Sequence, residues 1–210
     1  LVELIQRQPL SNPLQPETVL VQSPGMAQWL QLQIAEQKGI AANFAFPMPA
    51  SFIWQLYAEN LPDVAQSNQF NKNAMMWRLM RLIPQYLQQE AFYPLRHYLA
   101  HSVQSEQFKL YQLAGKIADL FDQYLVYRPD WIAAWETYRD AEIRHQIETQ
   151  LNLNHDRLSA QIEQNIAWQA SLWRALIQAV KAETGLDWVQ HRAHLHQLLL
   201  EKLRENRPLF

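Results

Sequence analysis

Hydrophobic residues recur at three- and four-residue spacings along most of this chain, the period of helices with one buried face. The clearest case is residues 104–127, where Leu113, Ile117, Leu120, Phe121 and Tyr124 share a face. Pro129 stops that helix, and residues 130–135 make one or two further turns. Residues 71–88 predict another helix, carrying Met76, Trp77, Leu79, Met80, Leu82 and Ile83, with Pro84 expected to kink or interrupt it. Shorter helices are expected over 51–60 and 92–100, and longer ones over 165–183 and 188–205, the last two parted by Thr184-Gly185. Residues 1–8 read as the end of a helix. The stretch 138–164 is the most polar and reads as a mobile connection with some helix.

One segment breaks the helical period. Thr18-Val19-Leu20-Val21-Gln22 is a short continuous apolar run, which suits a parallel strand buried on both faces. Ser23-Pro24 then supplies an N-cap and a proline at the first helical position. A helix follows to about Lys38 with Met26, Trp29, Leu30 and Ile34 on one face, and Gly39 closes it. Residues 41–49 are expected to be extended, because Pro47 and Pro49 disfavour helix. The sum is roughly eight helices and one clear strand.

Composition agrees with a helical reading and narrows the function. Of 210 residues, 49% are hydrophobic and only 18% charged, below the usual quarter. Glutamine fills much of the gap, and glycine is scarce at 4. A net charge of −2 gives no global field to attract nucleic acid, so DNA binding has to rest on a local patch or on other subunits. The absence of cysteine excludes disulfides and thiolate metal sites, and fits the cytoplasm. No apolar run reaches about 18 residues, so no membrane span is expected. The chain opens at Leu1 within a helical pattern, which reads as a fragment of a longer protein.

Four groups of residues could carry chemistry. The strand–turn–helix corner Gln22-Ser23-Pro24-Gly25-Met26 sits where phosphate loops occur, yet it has one glycine and no lysine, and Pro24 removes an amide donor. An ordinary capped corner fits better, and no nucleotide chemistry is assigned to it. His191, His194 and His196 lack a carboxylate at ligand spacing and read as a solvated helix face. His97 and His101 have the spacing of a zinc-protease helix, but Tyr98 stands where that helix needs glutamate. Asp119 and Asp122, one turn apart, could serve acid–base chemistry or hold magnesium, and could equally be a solvated face, the preferred reading. Trp29, Trp54, Trp131 and Trp135 fall on apolar stripes and read as core, although a few tryptophans on a groove could stack bases. No catalytic residue and no metal ligand is assigned.

Several of these blocks are collinear with a known family. Val19 through Gln31, Gly39 through Asn43, Phe46 through Trp54, Leu95 through Leu99, and Ala118 through Trp131 resemble the start of the gamma subunit of exodeoxyribonuclease V, the RecC family. Ala167 through Ala170, Leu172-Trp173 and His191-Arg192-Ala193 extend the match. The resemblance implies a mainly α chain: a partial helicase-like α/β domain with few parallel strands and a large helical insertion. The parts it implies are an inactive helicase-like segment at 1–45, a helical domain at 46–187, and a helix returning to the core at 188–210. It further implies a non-catalytic subunit of the RecBCD helicase–nuclease, which repairs double-strand breaks by recombination. That subunit splits duplex DNA and reads the Chi sequence in the 3′ single strand. RecB-like and RecD-like partners would use ATP and magnesium, and this fragment would hold no cofactor.

Residues implied for Chi reading are Gln22, Gln28, Met48, Trp54, Asp119, Leu120, Asp122, Gln123, Arg128 and Arg192. Pro24 falls on such a position where the family commonly has threonine, so a hydroxyl is lost there. The chemistry is consistent. Chi is guanine-rich, and an unpaired guanine presents two donors that one carboxylate accepts, so Asp119 and Asp122 suit base edges better than phosphate. Glutamines donate and accept. Arg128 and Arg192 pair with guanine or phosphate, and Trp54 stacks. The rival expectations are a structural module that docks partner helicase and nuclease subunits, and a hydrolase using Asp119 and Asp122. The last requires metal-dependent cleavage by the isolated chain, and none is expected.

Overall fold

A computed structural model describes residues 10–12, 14–64, 68–100, 105–151, 156–186 and 190–205. The helix expected at 1–8 and the start of the one expected at 188 lie outside them. The chain divides into two compact units, Leu1–Val64 and Ala65–Phe210.

In the first unit, β1 (Glu17–Thr18) pairs in parallel with β2 (Phe44–Ala45). The ladder extends past these bounds. The amides of Glu17, Val19 and Val21 donate to the carbonyls of Asn43, Ala45 and Pro47 at 2.9, 2.9 and 3.1 Å. Pro47 has no N–H to return, which keeps the regular pairing short. The apolar run is therefore extended, as its composition predicts, but it is not buried on both faces. Val21 is buried and Val19 half-buried, while Thr18, Leu20 and Gln22 are exposed. The second strand falls within the stretch 41–49 expected to be extended, and Asn43 turns the chain into it through a left-handed conformation, φ 62°.

Helix α1 (Pro24–Lys38) begins and ends as its sequence dictates. Ser23 Oγ accepts from Met26 N, Pro24 occupies the first turn, and Gly39 closes the helix at φ 80° with its N–H on Ala35 O. Its expected apolar face is only partly covered. Ile34 is buried, but Trp29 is 59% exposed and Met26 is exposed as well, so Trp29 is not core in this unit. Helix α2 (Pro49–Asn60) starts after Met48 and buries Tyr57.

The second unit is helical. It comprises α3 (Lys72–Tyr86), a 3-10 turn (Glu90–Phe92), α4 (Tyr93–Ala100), α5 (Glu106–Tyr127), α6 (Pro129–Glu136), α7 (Asp140–Leu151), α8 (Asp156–Thr184) and α9 (Arg192–Glu205). Asn71 and Ser105 cap α3 and α5 by accepting from Ala74 N and Phe108 N. Pro84 does not interrupt α3, which ends two residues later at Tyr86. That close to the terminus, its missing N–H costs one helical bond and leaves no long segment beyond it. The polar stretch read as a connection is largely helix. In it α7 packs on α8 and buries Ile143, while residues 152–155 lie outside the description.

The core forms where α3, α5, α6 and α8 meet. Phe121 stands edge-on to Trp173 at 5.3 Å and to Trp135 at 6.2 Å, and all three rings are fully buried. Such edge-to-face pairs add about 0.5–1.5 kcal/mol to the burial itself. Among the described residues, two parallel strands accompany this helical fold, and no helix is long and apolar enough to cross a membrane.

Candidate functional site

The candidate residues fall in both units. In the first, Gln22, Pro24 and Gln28 flank the strand–helix corner and are exposed. Within that corner, Pro24 has no amide hydrogen and the Met26 amide is taken by Ser23 Oγ at 3.2 Å. Of the first three helical positions, only Gly25 keeps an N–H to offer. Among the described residues the side chains of Gln22 and Gln28 make no hydrogen bond, so both donor and acceptor are open to a ligand. Met48 is 44% exposed at the start of α2. Trp54 is half-buried and stands edge-on to Tyr57, with centroids 6.1 Å apart and planes 77° apart, which fixes its orientation.

In the second unit, α5 carries Asp119, Leu120, Asp122 and Gln123 over one turn. Leu120 is half-buried, whereas Asp122 and Gln123 are exposed. Asp119 is already engaged, in an ion pair with Lys72 of α3. Asp122 holds no ion-pair partner among the described residues, so its carboxylate is free to accept from a ligand. The two aspartates that sequence alone leaves equivalent therefore differ.

Arg128 occupies the corner after α5, because Pro129 bars its helical conformation and starts α6. Its guanidinium is held on three sides. Nε and Nη2 form a fork on Asp130 at 3.1 and 2.9 Å. Nη2 also donates to Gln146 Oε1 at 3.1 Å. The plane lies over the Trp131 ring, 3.8 Å from its centroid. Trp131 Nε1 donates to the same Gln146 oxygen at 3.2 Å. Among the described residues only Nη1 holds no hydrogen bond, so Arg128 as held offers a single-nitrogen contact rather than a bidentate one. The fork on Asp130 spans two residues and was open to sequence reasoning; Gln146 was not, since it comes from the stretch read as a connection. Tyr124 joins this neighbourhood through its hydroxyl, which donates to Gln169 Oε1 at 3.0 Å. Burial raises the pKa of that phenol more than the Arg128 charge lowers it.

Arg192 opens α9, half-exposed. Its neighbour His191 is not on a solvated face, contrary to the sequence reading. It is 2% exposed, and its Nε2 lies 2.8 Å from Glu136 Oε1. Trp173 Nε1 donates to the same oxygen at 3.0 Å, and in the neutral form of His191 the ring accepts at Nδ1 from His194 N at 3.1 Å and carries its proton on Nε2. Periodicity could not reveal this, because the partner carboxylate is 55 residues away. His194 is half-buried and His196 exposed. His97 is exposed and its ring lies against Tyr93, while His101 is outside the described residues.

Residues 1–209 match the family model described as RecC, N-terminal domain. The RecBCD enzyme subunit RecC of Haemophilus influenzae is 55% identical over 207 residues, covering 99% of this chain and 18% of that protein. The subunit of the same name from Escherichia coli is 46% identical over 200 residues, covering 95% of this chain and 16% of that protein. The one from Mycolicibacterium smegmatis is 26% identical over 195 residues, with 90% and 15% covered. The chain thus spans less than a fifth of the length of the relatives it matches. With a family model matched along nearly all its residues, the chain belongs to the RecC N-terminal domain family.

Proposed function

We propose that this chain is the N-terminal part of a non-catalytic DNA-binding subunit of a RecBCD-type exodeoxyribonuclease V. In that role it helps to split duplex DNA and to recognise Chi in the 3′ single strand during recombinational repair. The observation that carries the reading is the end of α5. There Asp122 and Gln123, exposed and without a side-chain partner among the described residues, precede by one to two turns an arginine fixed by Asp130, Gln146 and Trp131. A carboxylate takes the two Watson–Crick donors of guanine, an amide serves either edge, and a clamped guanidinium meets phosphate or a base acceptor. Splayed single strands are normally read in this way. Gln22, Pro24, Gln28, Met48, Trp54 and Arg192 complete the proposed contact set. The corner at Gln22–Met26 is then a helicase turn put to another use. Parallel β1 and β2 before and after α1 support a partial helicase-like segment over 1–45, with 46–187 as the helical insertion and 188–210 as the return. ATP and magnesium belong, in this reading, to RecB-like and RecD-like partners in the cytoplasm.

The test is Asp122→Ala and Arg128→Ala in the assembled three-subunit complex. Unwinding should persist while the response to Chi falls, each lost base contact being worth about 1–3 kcal/mol of discrimination. Unaltered Chi response would remove these residues from the reading. A second reading, a module that docks the partner subunits, is favoured by the exposed Trp29, Leu32 and Ile40 of the first unit. It predicts that substituting those residues impairs assembly and leaves Chi response intact in whatever complex forms.

A further inference from the structure

We infer that the groove between α3, α4 and α5 is an additional subsite for an unpaired nucleotide, next to the carboxylates just described. The inference rests on the single-strand-binding role proposed above and adds residues that role does not include. The groove has a volume of about 540 Å³, and its walls include Lys72, Tyr98, Tyr111, Gln112, Lys116 and Asp119. That size lies within the range of about 300–1,000 Å³ typical of ligand clefts.

Three features point to a nucleic-acid strand. The first is partly exposed aromatic surface. Tyr98 is 47% and Tyr111 43% exposed, and Trp77, 61% exposed, tilts against Tyr111 at 6.1 Å. Rings on a groove stack bases irrespective of sequence. The second is charge. In a chain of net charge −2, this groove gathers Lys72 and Lys116 at its wall, and Lys109 sits over the Tyr98 ring at 4.8 Å. The Lys72–Asp119 ion pair closes the side nearest the base-reading turn. When Asp119 accepts from a base, the Lys72 ammonium is released toward the adjoining phosphate. The third is Gly115, in the middle of the 22-residue α5. Glycine weakens a helix interior relative to alanine. A Cβ there would meet nothing closer than Met76 Sδ at 3.8 Å, so packing does not require glycine. Its bare backbone keeps the floor of the groove low. A docked protein helix is the poorer occupant, because charged side chains are depleted at the centres of protein interfaces.

The experiment uses the assembled three-subunit complex with forked DNA. A photo-crosslinking phenylalanine analogue in place of Tyr111 should capture the 3′ single strand. The Tyr98→Ala/Tyr111→Ala pair should weaken single-strand affinity by about five-fold or more, while the corresponding phenylalanine pair should retain it. Gly115→Gln, which favours helix and fills the floor, should weaken it as well. Capture of a partner subunit instead of DNA overturns the inference. So does unchanged affinity in both the alanine pair and Gly115→Gln, whatever Asp122→Ala does. If Asp122→Ala leaves Chi response intact while the analogue in place of Tyr111 still captures DNA, base reading by that carboxylate fails and the subsite stands.

Discussion

His191 Nε2 lies 2.8 Å from Glu136 Oε1, and this bond ties the start of α9 to the end of α6 inside the second unit. Burial alone would raise the Glu136 pKa. The His191 bond and charge, the Trp173 bond and the His194 charge outweigh it, and the carboxyl is held below its ordinary 4.5. His194 is also lowered from 6.5, by burial and the His191 charge, against the opposing pull of Glu136 and Glu201. Both groups bind protons more readily in the unfolded chain, so acid destabilises the fold. Stability should fall as pH drops below 6.5 and fall again below 4.5. Denaturant midpoints across this range check the two limbs. His194→Gln should flatten the upper limb and Glu136→Gln the lower, and a profile unchanged by both substitutions would contradict the assignment.

Removal of the acceptor should cost more than removal of its charge. In Glu136→Ala the N–H groups of His191 and Trp173 lose the oxygen they share. Each unsatisfied buried donor costs about 1–3 kcal/mol. Glu136→Gln keeps a carbonyl oxygen in the same place and should lose less than half as much. Equal losses in urea unfolding would mean that charge rather than pairing holds the site.

The contrast between Glu136 and α1 shows what the sequence could and could not disclose. Ser23, Pro24 and Gly39 act within one or two turns of themselves, so the limits of α1 were legible from local chemistry. The face made by Ile117 and Phe121 was legible too, because periodicity reports which side is covered. Periodicity does not report by what. His191 and Trp29 both lie on helical patterns, yet the histidine is buried against a distant carboxylate and the tryptophan is open. The same limit applies to the candidate site. The spacing of Asp119 and Asp122 was visible, but their inequality comes from Lys72 on another helix.

Arg174 joins three elements and should not tolerate lysine. Its Nη1 and Nη2 fork Asp140 at 3.0 and 3.1 Å, and Nη1 also donates to Trp135 O at 2.9 Å. Its guanidinium lies 4.6 Å from the Tyr138 ring centroid, at a residue whose φ is 58°. Lysine keeps the charge but loses the planar fork and the stacking. Arg174→Lys should therefore destabilise by about 1.5–3 kcal/mol, close to Arg174→Ala. A lysine variant as stable as the parent in thermal unfolding would show that charge alone suffices.

Asp130 has no place in the proposed base-contact set, yet it should control what Arg128 can do. Its carboxylate takes Nε and Nη2, so the guanidinium cannot swing, and among the described residues only Nη1 holds no hydrogen bond. Asp130→Ala removes the fork and leaves Gln146 and the Trp131 ring as the remaining holds. The freed arginine gains rotamers that it must give up on binding, at about 0.5–1.5 kcal/mol for a side chain of this kind. It also gains a second edge for phosphate, which carries no sequence information. The two effects oppose each other in affinity but act together on discrimination. In the assembled complex, Asp130→Ala should therefore lower the preference for Chi-containing over Chi-free single strands by about two- to ten-fold, with little change in total single-strand binding. Arg128→Ala should reduce both. Competition titrations at fixed salt separate the cases. An Asp130→Ala complex with undiminished preference would mean that the clamp on Arg128 serves only the helix corner at Pro129.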